Sequence, residues 1–154
     1  MAKKFAFCSL STKCDDVVMW SHYANSHKGI VLGIEFNESE VQDSLQKVEY
    51  LNQLPDWNVE EFFRFINGEE EFQHIFLNDL SVKSKHWANE SEYRIWLKNP
   101  GYWVIKEDQI KELYFGVNCD LATKKVVLEI LNFLPGYFPI YQMEINKNTL
   151  DLTW

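Results

Sequence analysis

Apolar and polar positions along the chain change period several times, and each change predicts an element. Phe5 to Leu10 alternates weakly and reads as a first strand, suited to a sheet edge. After the Ser11–Thr12–Lys13 turn, Asp15 is the better cap candidate for a helix. On that helix Met19, Trp20, Tyr23 and His27 share one side, and His22, Asn25 and Ser26 lie on the other. Lys28 and Gly29 supply the cation and the glycine that commonly end a helix. Gly29 to Phe36 follows as a strand apolar on both faces, which predicts a central position in a sheet. Glu35 shares a face with Gly33, so an open spot is expected beside its carboxylate.

Gln46 to Leu51 reads as a shorter strand. Asn58 and Glu61 have the spacing of a capping box, and Val59, Phe62, Phe63 and Ile66 fall on one helical face. Phe72, Ile75, Phe76 and Leu80 mark a second helix running to about Lys85. Period two returns from Glu90 to Leu97, and a turn at Asn99–Pro100–Gly101 predicts a hairpin with Tyr102 to Ile105. Ile110 to Phe115 is a further strand, and Asp120 to Leu134 is the longest apolar helix. Tyr137 to Ile145 and Leu150 to Trp154 form a terminal hairpin around Asn146–Lys147–Asn148. The expected class is α+β: a mixed, mostly antiparallel sheet of about six to eight strands with three or four helices. With 154 residues and no linker or repeat, residues 1–154 read as a single domain.

Composition narrows the functions. A net charge of −8 argues against nucleic acid, whose phosphates demand a basic face. The acidic clusters at Glu38 and Glu40, Glu60 and Glu61, and Glu69 to Glu71 read as solvated surface at helix starts or loops. Cys8, Cys14 and Cys119 include no CxxC pair and leave an odd thiol, which fits a reduced, cytoplasmic protein. The short apolar run near the N-terminus does not make a signal peptide, and no stretch approaches the roughly 20 apolar residues of a bilayer span. Aromatic residues make up 16% of the chain, which implies a ring-rich core, an aromatic-lined pocket or an interface. That share is compatible with a homodimer formed by exposed rings or a terminal edge strand.

Two stretches concentrate polar chemistry against apolar surroundings. The first is MWSHYANSHKGIVLGIEF, residues 19 to 36. His22 and His27, five residues apart, do not share a metal easily, and the usual ligand spacings are absent. His27, on the aromatic face, reads as a core or capping histidine; His22 reads equally as surface or as a pocket acid–base group. The second stretch is Glu90–Ser91–Glu92–Tyr93–Arg94–Ile95–Trp96. Alternation puts Glu90, Glu92, Arg94 and Trp96 on one face, with same-face neighbours about 7 Å apart. That face is either an exposed ion-pair ladder or a carboxylate pair tuned by a guanidinium, and Trp96 argues for partial cover. Lys85, His86 and Trp87 lead into it, capping a helix or gripping an anion. Cys119, near a helix start without a neighbouring histidine, reads as a buried thiol. Phosphate loops, dinucleotide glycines and nucleophile elbows are missing.

The block from Met19 to Phe36, then Val48–Glu49–Tyr50, then Lys85-x-Trp87-x-x-Glu90-x-Glu92-Tyr93-Arg94, then Ile110 to Gly116, resembles the bacterial domain-of-unknown-function family 2971. The resemblance spans most of the chain and implies kinship without an activity. It also implies a further N-terminal segment with an Asn-Asp-Pro-like motif, which this chain starts after. If that segment supplies half of a site, a reduced, non-catalytic form is expected. Separately, Glu90-x-Glu92 is similar to the glutamate motif of ADP-ribosyltransferases, which would make Glu92 the catalytic carboxylate with Trp20 or Tyr23 stacking on nicotinamide.

Two functions follow. One is a small-molecule or protein-binding domain without complete catalytic machinery and without an evident cofactor or metal. The other is an NAD- or nucleotide-using enzyme acting through Glu92, Arg94 and His22. In either case Trp20, Tyr23, Glu35, Glu90 and Trp87 are the expected ligand contacts, and the helix bearing His22 is expected to share a hollow with the strand bearing Glu92.

Overall fold

The computed structural model describes residues 6–42, 44–53, 55–56, 58–69, 78–97, 101–134 and 136–154; the side chains of residues 38 and 66 fall outside the description. In chain order the elements are β1 (Ala6–Ser11), α1 (Val17–Tyr23), β2 (Ile30–Ile34), α2 (Glu38–Val41), β3 (Leu45–Lys47), β4 (Glu49–Leu51), α3 (Val59–Ile66), β5 (Val82–Ser84), β6 (Glu92–Leu97), β7 (Ile110–Phe115), α4 (Leu121–Leu131), β8 (Ile140–Gln142), β9 (Glu144–Ile145) and β10 (Leu152–Thr153). The class is α+β, with small, mostly antiparallel sheets. The chain forms two compact units, Met1–Thr12 with Val41–Trp103, and Lys13–Glu40 with Val104–Trp154.

In the first unit β6 is the middle strand, antiparallel to β1 on one side and β3 on the other. β1 is an edge strand, as its weak alternation suggests. The stretch Gln46 to Leu51 does not form one strand. The Val48 N–H donates to the Glu92 carbonyl at 2.9 Å, while the Glu49 N–H donates to the Ser81 carbonyl at 2.8 Å. The chain thus changes partner at buried Val48, leaving β3 on β6 and placing β4 parallel to β5. Of the helix expected from Phe72 to Lys85, Phe72, Ile75 and Phe76 lie outside the described residues. Its last part is corrected: Val82–Ser84 is strand and Lys85–Glu90 a 3-10 helix. The expected hairpin is corrected too. Residues 102–105 are not a strand, because both edges of β6 are already paired, by β1 and β3. Its turn residues Asn99 and Pro100 lie outside the described residues. In α3 the Asn58 side chain caps the Glu60 N–H at 2.9 Å, but the expected apolar face is turned out. Val59, Phe62 and Phe63 are exposed, and Phe65 is the buried residue.

In the second unit β7 is central, antiparallel to β2 and parallel to β8. β2 lies at the edge of this sheet, not at its centre; helix and loop packing, not a second strand, accounts for its apolar faces. Leu113 and Phe115 point to one side with Cys119, against Ile30, Leu32, Val127, Leu131 and Phe138. Tyr114 points to the other, with Trp20, Ala24, Met143 and Leu152. Asp16, and not Asp15, caps α1, accepting the Met19 N–H at 2.8 Å. The helix ends at Tyr23, five residues earlier than its wheel suggests, since Asn25, Ser26 and His27 all have left-handed backbones. His27 therefore leaves the helical face. Its N–H donates to Trp20 and its carbonyl accepts from Asn118. Gly116 permits this turn, because a Cβ there would lie 2.1 Å from the His27 carbonyl oxygen. The terminal hairpin forms only next to its turn, as β9–β10, with the Asn146 side chain accepting the Asn148 N–H at 2.9 Å. The single strand expected from Tyr137 to Ile145 is corrected, because Ile140–Gln142 pairs with β7 instead. Among the described residues no helix is long and apolar enough to cross a membrane.

Candidate functional site

Strand β6 begins where a left-handed Ser91 (φ 47°) ends the 3-10 helix Lys85–Glu90. That corner turns Glu90 and Glu92 inward together. The register of β6 sets Arg94 across from Ser9 on β1, and the parallel pairing of β4 and β5 sets Tyr50 beside Lys83. The result is a charge network assembled from five segments.

Glu92 is its centre. Its Oε1 accepts the Ser9 hydroxyl at 2.5 Å and the Arg94 Nε–H at 2.9 Å. Its Oε2 receives the Lys83 ammonium at 2.6 Å and a longer Arg94 Nη2 contact at 3.4 Å. Lys83 also bridges to Glu90 Oε2 at 2.5 Å. The Ser11 hydroxyl donates to the Glu90 carbonyl at 2.7 Å, and Arg94 Nη1 donates to the Leu80 carbonyl. The Glu92 N–H donates to the Tyr50 hydroxyl oxygen at 2.8 Å. The Arg94 guanidinium stacks over the Phe7 ring at 4.6 Å, and Phe7 meets Trp96 edge-on at 5.1 Å.

This is not the exposed ladder that alternation alone allows. The Glu90 and Glu92 side chains are each 4% exposed and Arg94 9%, while Lys83 keeps 25%. Two carboxylates and two cations make the group neutral in sum, which is how buried charges are tolerated. Burial pushes the Glu92 pKa up, but hydrogen bonds from Arg94, Lys83 and Ser9 outweigh it and hold the carboxyl at about 2. Burial pulls Lys83 down, and its bonds to Glu90 and Glu92 more than reverse that, so its ammonium is kept. Burial and the neighbouring carboxylates raise Tyr50.

Of the expected site residues, Glu90, Glu92 and Arg94 come together here. Trp87 lies on the 3-10 helix that Glu90 ends, and it is exposed. His22, Trp20, Tyr23 and Glu35 belong to the second unit. Trp20 is a core residue there, 2% exposed, with its Nε1–H on the Cys14 carbonyl at 2.6 Å. Tyr23 is exposed beside His22, their rings 6.2 Å apart. Glu35 is exposed and paired with Lys111 at 3.4 Å. The open spot expected next to Glu35 is taken from the opposite strand. A Cβ at Gly33 would lie 3.0 Å from the Glu112 Cβ and 3.1 Å from its Oε2. Glu112 in turn accepts the Tyr114 hydroxyl at 2.5 Å, and burial followed by that bond raises Tyr114.

Sequence reasoning missed Ser9, Tyr50 and Lys83. Tyr50 sits within the Val48–Glu49–Tyr50 block already singled out for its family resemblance, which was the one available signal. Lys83 was hidden by assigning its stretch to a helix. Burial raises the pKa of all three thiols, and none is in a disulfide. Among the described residues no three His, Cys, Asp or Glu side chains gather as a metal site would require.

Residues 19–95, half of the chain, match a family model described as Protein of unknown function (DUF2971). No curated protein and no solved structure matches the chain.

Proposed function

The chain belongs to the DUF2971 family, and from that premise we propose that it is a binding domain for a small molecule or a protein partner. In this reading Glu92 anchors a charge network and performs no chemistry of its own. The observation that carries it is the engagement of both Glu92 oxygens, by Ser9 and Arg94 on one and by Lys83 and Arg94 on the other. A carboxylate that orients a substrate or steadies a developing cation needs an oxygen open to that substrate. Glu92 has donors on each oxygen, and its side chain is buried. Releasing those donors would strand the buried Arg94 guanidinium and the half-buried Lys83 ammonium, so the network resists being opened for catalysis. The exposed Phe7 ring, stacked under the Arg94 guanidinium, and the exposed Trp87 ring, on the 3-10 helix that Glu90 ends, offer surface for that binding.

The test sets this reading against the enzyme that would use NAD through Glu92. Wild-type protein is incubated with NAD and nicotinamide release is followed. Glu92→Gln and the milder Ser9→Ala, which removes one donor, are run beside it, each checked by circular dichroism. No release above buffer by any of the three is expected. Release by wild type that disappears in a folded Glu92→Gln would overturn the proposal. For the binding role, a compound that raises the melting temperature of wild type should lose that effect in Trp87→Ala or Phe7→Ala; hits indifferent to both rings would place recognition elsewhere.

A further inference from the structure

Helix α4 is apolar on two sides, and the fold uses one of them. Val127 and Leu131 pack on Leu113, Phe115 and Cys119. On the other side Ala122, Val126 and Ile130 recur every four residues, and Phe133 continues the row just past the helix end. Val126 is 56% exposed, Ile130 58% and Phe133 86%. Along one border of this row stand Lys125 and Glu129, one turn apart, 4.0 Å from each other and both open to solvent.

We propose that this row is the interface of a two-fold symmetric dimer, in which α4 lies antiparallel against α4 of a second copy. The occupant is argued from the charges. A two-fold axis that makes two helices antiparallel brings the same border of each side by side. With that axis level with Val127, Lys125 of each copy faces Glu129 of the other, and Ala122 lets the backbones approach. The helix thus carries its own electrostatic complement, in a register that also nests the apolar row on itself. An 11-residue helix is about 16 Å long and covers less than the roughly 800 Å² per partner of a standard interface. A weak dimer is therefore expected, dissociating on the order of 10–100 µM.

Sedimentation equilibrium across about 5–500 µM, a range that brackets this value, tests it on the whole chain. The mass should rise from 18.3 kDa toward twice that value. Ile130→Asp should stay monomeric throughout with an unchanged circular dichroism spectrum. Lys125→Glu places like charges opposite each other twice and should weaken the dimer by about tenfold. Lys125→Glu with Glu129→Lys should restore it. A monomer at every concentration, or a dimer indifferent to Ile130→Asp, would refute the interface. A double exchange that fails to restore what the single reversal lost would refute the antiparallel register.

Discussion

Replacing Glu92 by glutamine removes one charge from a group of four and leaves its shape nearly intact. The magnitude follows from the carboxyl's displacement. Its pKa falls from the ordinary 4.5 to about 2 in the folded protein. At about 1.4 kcal/mol per pH unit, this corresponds to about 3 kcal/mol of stabilisation of the ionised form. Glutamine forfeits that, and its amide group would also turn a donor toward Lys83 or Arg94. The result agrees with the roughly 3–5 kcal/mol cost of breaking a buried ion pair from one side. Because the folded pKa lies below the unfolded one, the stabilisation is complete above about pH 4.5 and drains away as the pH falls toward 2. The variant has nothing to lose over that interval. Urea denaturation of both proteins, followed by tryptophan fluorescence, should show a gap of about 3 kcal/mol at pH 7. That gap should close between about pH 4.5 and 2. A gap below about 1 kcal/mol at neutral pH, the size of an exposed pair, would refute the network as described. So would a gap that stays constant into acid.

Other outcomes are equally specific. Gly116→Ala drives a Cβ to 2.1 Å from the His27 carbonyl oxygen, so it should destabilise by about 3 kcal/mol or more; a melting temperature within a degree of wild type would contradict the packing of that turn. Asp16→Ala should cost about 1 kcal/mol through loss of the α1 cap, while Asp15→Ala should be nearly neutral; equal effects in denaturant would reassign the cap. Burial raises the pKa of Cys8, Cys14 and Cys119, so iodoacetamide at pH 7.4 should label the native protein far more slowly than the urea-unfolded chain. Rapid labelling of native protein, counted by mass spectrometry, would show a thiol in a different environment.

The elements whose signal is local were legible in the residues themselves. α4, β2, β7 and the Asn146 hairpin all stand close to where periodicity and turn chemistry put them, since spacing and capping act within a few residues. The α+β class followed from the same pattern. So did the prominence of Glu90, Glu92 and Arg94, which sit two residues apart on a run that alternates. Tertiary structure decided what sequence separation hides. Whether those charges were a solvated ladder or a buried network depended on Ser9, Tyr50 and Lys83 arriving from β1, β4 and β5, and no period in the chain encodes that meeting. The strand after Gln46 splits because Val48 and Glu49 find different partners. The pairing of β6 with β1 and β3 displaced a hairpin that its turn residues favoured. α1 stops early where Asn25 to His27 turn left-handed, a turn for which Gly116, some ninety positions away, leaves room. Local preferences propose elements at the cost of fractions of a kcal/mol per residue, whereas burial and strand pairing, worth several, choose among them.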